Sequence, residues 1–344
     1  MYMIQFPFRQ VLPVMTALLV LALCGAGAHA GEEITGDEVG GEDAEILQRN
    51  VYPLPPDDVD VVGEIRVVEA RHQDTLLDIG RRHGIGFEAM RMANPGVDLW
   101  MPGEGTEVVI PTRFILPPGP REGLVINLPE MRMYYYPEPA PGEQRVVETY
   151  AVSVGRLDWS TPIGTTRVTN RLENPAWFPP ASVRERHAAE GRTLPKRVDP
   201  GPDNPLGDYA IGLDIPGYFI HGTNRPSGVG MRATHGCIRM FPEDIESLVY
   251  RLPVGTAVRI MNEPYKAGWH ANELYIQAHP VLEEHADEDF GTYGSAVRAV
   301  AAVLEGRPGR VDYERLKAAV KVRNGLPVNI TRNADAGRDI AEAR

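Results

Sequence analysis

One thiol, Cys237, stands in the run Thr234-His235-Gly236-Cys237-Ile238-Arg239, and a second histidine precedes it in Ile220-His221-Gly222-Thr223. A thiol attacks only as its thiolate, and a free cysteine is mostly protonated at neutral pH. A neighbouring imidazole takes that proton and so makes the sulfur a useful nucleophile. The pattern therefore points to a cysteine enzyme with His221 as base. Gly222 beside His221 and Gly236 beside Cys237 leave the backbone free to approach a substrate closely. Backbone N–H groups around Gly236 and Cys237 are the candidate oxyanion donors. His221, His235 and Cys237 are also zinc-ligand types. No fourth ligand stands nearby in the sequence, and His270, His279 and His285 share no helical face, so no metal and no cofactor is assigned.

The elements that must position these residues follow from periodicity and breakers. His221 ends a predicted strand, and Cys237 ends the glycine-rich loop that follows it. Upstream, Leu124-Val125-Ile126-Asn127-Leu128, Met131 to Tyr136 and Val146 to Val154 read as short strands. Thr166 to Thr169, Tyr218 to His221 and Ala257 to Ile260 continue the series between Pro/Gly turns. Such spacing predicts a mainly β domain over 121–261, a sandwich or partly closed barrel. Gly 35 and Pro 31 in 344 residues suit that turn-rich plan. One helix interrupts it, Pro242 to Leu252, directly after the cysteine loop, with Glu243 and Asp244 in its first turn as the helix dipole favours.

Residues 63–112 predict a small βααβ domain. Ile65 to Val68 alternates as a strand, Asp74 to Gly84 opens on a capping residue and stops at glycine, Gly86 to Ala93 gives a second helix, and Val108 to Pro111 closes the unit. A C-terminal extension over 265–331 reads as α-helical, with helices at Val281 to Ala286, Gly294 to Glu305 and Val311 to Val322.

At the cysteine the resemblance to a known family is close. "YFIHGTN" followed by "ATHGCIRM" resembles the signature of the L,D-transpeptidase catalytic domain, and "VSVG", "TPIGTTRVT", "NPAWFPP" and "GPDNPLGDYAIGL" resemble its upstream segments in order. The βααβ unit, through "DTLLDIGRRHGI", "MRMANPGVD" and "GTEVVIP", resembles a LysM glycan-binding module. The first resemblance implies that Cys237 is the acylated nucleophile, His221 its base, and the carbonyl of Gly222 the group that orients His221. It also implies that His235 lines the site, Arg239 meets a substrate carboxylate, Thr234 stabilises the loop, and Gly236 and Cys237 hold the oxyanion. The implied reaction cleaves the amide between the L-centre of diaminopimelate and D-alanine in a peptidoglycan tetrapeptide stem. The thioester then passes to an amine of another stem or to a lysine of an outer-membrane lipoprotein. Two further readings stay open: water as acceptor, giving an L,D-carboxypeptidase or hydrolase, and a wall-binding protein with a silent site. Trp159, Trp177 and Phe178 are candidates to shape a substrate groove, with core packing as the competing role.

The amino-terminal end adds a compartment. Arg9 supplies positive charge, Val11 to Leu23 is apolar, and Ala28-His29-Ala30 offers small residues for cleavage. The stretch falls short of the ~20 apolar residues of a spanning helix and is broken by Pro13. Residues 1–30 therefore read as a signal peptide and 31–62 as a flexible acidic leader, which places the protein in the periplasm. The only other cysteine, Cys24, lies inside that signal, behind Leu23, a poor fit to the small residue that lipidation requires. Exported proteins normally pair their cysteines, so a single surviving thiol again suggests chemistry. A formal charge of -12 argues against nucleic acid and anionic membrane surfaces as partners.

Overall fold

A computed structural model of the protein describes residues 51–285 and 291–332. The signal peptide over 1–30 with Cys24, and the leader as far as residue 50, lie outside the described residues. The last part of the predicted leader is ordered: β1 (Val51–Pro53) pairs antiparallel with a barrel strand, Val51 opposite Glu148. Pro53 ends β1 and Pro55 and Pro56 follow it, a run that excludes helix but permits an edge strand.

β2 (Val61–Glu69) and β3 (Glu107–Ile115) form an antiparallel ladder from Val61 opposite Ile115 to Glu69 opposite Glu107. Between them lie α1 (Leu76–Arg82) and α2 (Phe87–Ala93). The α1 cap is Thr75, one residue beyond the start of the predicted helical segment. Its hydroxyl accepts from Asp78 N at 3.0 Å, and the Asp78 carboxylate accepts from Thr75 N at 3.1 Å. Asp74 instead pairs with Arg82 through two contacts of 2.8 Å. Leu76, Ile79, Met90 and Ile110 pack in one cluster with Val125, Tyr134 and Val147 of the barrel, so the core of the βααβ unit runs on into the barrel's outer face.

The barrel uses β4 (Gly123–Asn127), β5 (Arg132–Tyr136), β6 (Val146–Gly155), β7 (Gly164–Glu173), β8 (Tyr209–Leu213), β9 (Phe219–His221), β10 (Arg232–Thr234), β11 (Ile238–Met240) and β12 (Ala257–Met261). Its strand order is β6-β11-β9-β8-β7-β12-β4-β5, and β5 pairs back with β6, so the sheet closes on itself. The sandwich alternative is thereby replaced by a closed, barrel-like ring. β12 runs parallel to β4 and β11 parallel to β9, while β10 lies beside β6 off the ring. Helix α3 (Ala181–Ala189) sits in the β7–β8 connection, and α4 (Pro242–Arg251) follows β11. Ile245, Leu248 and Val249 of α4 enter the same core as Ile126, Val152, Ile220 and Ile238. The far end of α4 is tied by Arg251 to the buried Glu148 carboxylate of β6 at 2.8 Å.

The C-terminal extension is not the all-helical tail that the sequence predicts. β13 (Tyr265–His270) and β14 (Glu273–Ala278) form a hairpin, and β15 (Val328–Asn329) joins its edge. Helices α5 (Tyr293–Leu304) and α6 (Tyr313–Val322) pack on that sheet around Trp269, Leu274, Ile276, Val300 and Leu316. The hairpin turns on Ala271 and Asn272, both at positive φ (48° and 67°), the conformation a two-residue turn requires. Alanine in that turn hides the usual Asn-Gly signal. The helix predicted at Val281 to Ala286 is a single 3-10 turn, Glu283–His285, with Ala286 outside the described residues.

Where these parts meet, Lys266 of β13 is buried against the barrel. Its ammonium donates to Glu130 Oε2 at 2.7 Å, to Tyr134 Oη at 3.0 Å and to the Ile115 carbonyl of β3. Breaking a buried ion pair by removing one partner leaves the other uncompensated. Lys266→Met is therefore expected to cost about 3–5 kcal/mol in urea unfolding. Adding Glu130→Gln should restore most of that loss, whereas an unchanged midpoint for the single variant would contradict the account.

Candidate active site

The site is built on the parallel pairing of β9 with β11, in which Ile220 faces Ile238 and His221 faces Arg239. Alternate residues of a strand point to opposite faces of the sheet. Ile220 and Ile238 are buried in the barrel core, so His221 and Arg239 share the other face, together with Phe219 and Cys237. The thiol of Cys237 lies 3.6 Å from the Gly217 carbonyl, just ahead of β9. Burial alternates along Thr234 to Met240, with His235, Cys237 and Arg239 partly open between buried neighbours. The register thus brings Cys237, His221 and Arg239 to one surface.

His221 is only 5% exposed. Its Nδ1 stands 2.6 Å from the Gly222 carbonyl oxygen. A carbonyl can only accept, so Nδ1 carries the proton and Nε2 keeps its lone pair. Burial, together with the Arg239 charge, pushes His221 down to about 4. Burial pushes the Cys237 thiol up, partly offset by the Phe219 backbone N–H and by Arg239. Both groups are therefore neutral at pH 7, a thiol and an imidazole on one face rather than an ion pair.

The cysteine loop is held by hydroxyls. Thr234 Oγ1 donates to the Cys237 carbonyl at 2.6 Å, and Thr161 Oγ1 donates to the Gly236 carbonyl at 2.9 Å. Gly236 adopts φ +100°, and a Cβ there would sit 2.8 Å from the Tyr218 ring, so only glycine fits. Its N–H, a predicted oxyanion donor, is engaged by Thr234 Oγ1 at 3.2 Å. Gly236 thus shapes the loop in this state, and the Thr234 hydroxyl competes for the proton that an oxyanion would need. Gly222 is less tightly confined: a Cβ would approach the Ile245 side chain of α4 to 3.2 Å, which a small shift of that side chain would relieve.

Arg239 is partly buried, its Nε has no hydrogen-bond partner, and it forms no ion pair among the described residues. His235 makes a separate set of contacts. Its ring lies 4.3 Å from that of Trp159, and its Nε2 is 3.4 Å from Arg156 Nη2. Burial and the arginine charges hold His235 down to about 4. Trp177 is tied by a backbone bridge to Val198 and Phe178 is largely exposed, so neither packs in the barrel core. Among the described residues no three metal-ligand side chains gather.

Several supports had no signal in the sequence. Arg232, just ahead of the loop, donates to both oxygens of Glu284 at 2.7 Å. Phe87 N and Glu88 N donate to the Val229 and Gly230 carbonyls at 2.8 and 3.2 Å. Arg81 of α1 grips Glu243 of α4 in two contacts of 3.0 and 2.9 Å. Each joins residues far apart in sequence.

Residues 121–260 match the model of the YkuD L,D-transpeptidase catalytic domain. Over 295 residues the chain is 38% identical to a protein of Escherichia coli K12 named probable L,D-transpeptidase YcfS, covering 83% of this chain and 89% of that one. It is 37% identical to the probable L,D-transpeptidase ErfK/SrfK of Salmonella typhimurium LT2, covering 81% and 91%. The chain belongs to the L,D-transpeptidase family. The relatives are matched well beyond the barrel, so the flanking units of this L,D-transpeptidase are part of what it shares with them.

The neutral thiol makes a direct prediction. Alkylation of Cys237 by iodoacetamide is expected to accelerate only as pH rises beyond the ordinary thiol range, without an acid plateau. A plateau of fast alkylation between pH 5 and 8 would mark a preformed thiolate and overturn this electrostatic account.

Proposed function

We propose that this protein is a peptidoglycan L,D-transpeptidase acting in the periplasm, with Cys237 as nucleophile and His221 as base. The observation that carries the reading is the shared face of β9 and β11, with His221 fixed by the Gly222 carbonyl so that Nε2 is free to take a proton. His221 Nε2 accepts the thiol proton as Cys237 Sγ attacks the carbonyl at the L-centre of diaminopimelate. The developing oxyanion takes the Cys237 N–H, with Gly236 holding the turn and its N–H joining if Thr234 releases it. His221 then returns the proton to the departing nitrogen, D-alanine leaves, and a thioester remains. An amine of another stem, or of a lipoprotein lysine, attacks the thioester carbonyl, His221 takes up the amine proton, the C–S bond breaks as the amide forms, and the proton returns to Cys237 Sγ. Arg239 meets the carboxylate of the leaving D-alanine, which its planar fork suits.

Export by the predicted signal over 1–30 fits a lone thiol and a wall substrate. The βααβ unit is assigned as a LysM-like glycan-binding module, with Trp100 and Met101, 62% and 79% exposed, offering an apolar surface to a sugar face.

Intact-mass analysis with a disaccharide tetrapeptide tests the reaction. A thioester adduct on Cys237 with loss of D-alanine is expected, and Cys237→Ala should show neither. D-alanine release by Cys237→Ala would refute the assignment. Products with and without added amine separate transfer from hydrolysis. His221→Gln should lower kcat/KM by roughly 10²–10⁴-fold. In the wild type, kcat/KM should hold below pH 6 and fall only as pH drops through about 4, where the free base protonates. An acid limb near the ordinary histidine value would contradict His221 as base.

A further inference from the structure

We propose that Arg156, with His235 and Trp159, forms a carboxylate subsite on the acyl side of the scissile bond. The proposal deepens the transpeptidase reading and rests on it. The direction of the substrate follows from where the proton must go. His221 delivers the proton to the leaving nitrogen and sits opposite Arg239 in the β9–β11 register. The leaving D-alanine therefore lies on the Arg239 side. The acyl half of the stem then extends past Cys237 the other way, toward His235. Two residues of chain span at most about 7 Å, so His235 is within reach of the residue that bears the thioester.

At that end stands a cation that lacks a counterion. Arg156 forms no ion pair among the described residues, and its Nε is buried without a hydrogen-bond partner. Its guanidinium lies 4.4 Å over the Trp159 ring, and its Nη2 is held 3.4 Å from His235 Nε2. Arg186 reaches the same indole at 5.1 Å, but its charge is compensated by Asp158 at 3.2 Å and Glu190 at 3.4 Å. Arg156 is not compensated in this way. Stacking on an indole fixes the plane of the fork, and a planar fork suits a planar oxyanion such as a carboxylate, which it can bind bidentately. With Arg239, the thiol is thus flanked by two unpaired guanidiniums in a chain of net charge -12.

The tetrapeptide stem carries matching charge. D-alanine supplies a carboxylate on the leaving side. The acyl side supplies two: the α-carboxylate of the γ-linked glutamyl residue and the carboxylate at the D-centre of diaminopimelate. Both present the same chemistry to Arg156, and amidating them one at a time tells them apart.

The test measures D-alanine release from three tetrapeptides: unmodified, amidated at the glutamyl residue, and amidated at the D-centre of diaminopimelate. With wild-type protein, one amidation should raise KM by about 10- to 100-fold, the factor a charge-assisted hydrogen bond is worth. Arg156→Gln should show that raised KM on the unmodified stem, ignore the same amidation, and keep kcat within about threefold. Arg156→Lys should recover part of the loss. Wild-type turnover that ignores both amidations would overturn the subsite while leaving the transpeptidase reading intact. So would an Arg156→Gln variant that keeps the full carboxylate preference, or one that loses kcat equally on all three substrates. Failure of the wild type to release D-alanine from any stem would instead overturn the transpeptidase reading, and the subsite with it.

Discussion

The parallel pairing of β9 with β11 is the constraint on which the site depends. Each strand is three residues long, and the pairing is fixed by Ile220 and Ile238 turning into the barrel core. Because side chains alternate, burying those isoleucines forces His221, Cys237 and Arg239 to the opposite face. A slip of one residue would send His221 into the core and an isoleucine to the site. Catalytic geometry and hydrophobic burial are the same choice here, so the core protects the site without any dedicated contact between thiol and imidazole.

Strands this short have little pairing of their own, and the neighbouring units supply what is missing. The segment from Val229 to Glu243 is held on one side by backbone hydrogen bonds from Phe87 and Glu88 and by the Arg81–Glu243 pair. On the other side Arg232 is fixed to Glu284 in a setting where both side chains are mostly buried. A Cβ on Gly230 would stand 2.4 Å from the Gly86 Cα, so the two backbones meet with no side chain between them. The βααβ unit and the 3-10 turn of the C-terminal extension are thus joined to the segment that bears Cys237. This packing gives a physical reason why both flanks accompany the barrel over most of the length shared with the relatives.

Much of this was legible in the sequence because the signals are local. Alternation marked the barrel strands, Pro242 with two acids marked α4, and His221, Gly222 and Cys237 lie in motifs whose residue types state their chemistry. What escaped was non-local or masked by unusual local chemistry. Closure of the sheet depends on β5 meeting β6 in register, which periodicity does not encode. The β13–β14 hairpin does not alternate cleanly, since both strands are buried or half-buried at every residue, its Ala271-Asn272 turn lacks glycine, and the alanine-rich helices beyond it suggested helix throughout. The engagement of the Gly236 N–H by Thr234 depends on a loop conformation that no spacing specifies. Arg156 was invisible as a site residue because what marks it is a missing partner.

The electrostatics give the site its character. Among the described residues no carboxylate is hydrogen-bonded to His221, and a carbonyl dipole orients the ring without adding a full negative charge to stabilise an imidazolium. Arg239 raises the cost of that cation further. A resting thiolate–imidazolium pair would therefore bury two charges with poor support. The neutral pair avoids that cost and defers charge separation until a substrate carbonyl accepts the sulfur. In the proposed reaction the substrate brings the missing negative charge. A carboxylate on Arg239 offsets the guanidinium that weakens His221, so the base strengthens as the stem settles. Arg239 in this proposal does more than hold substrate: it weakens His221 as a proton acceptor, and a bound carboxylate lifts that restraint.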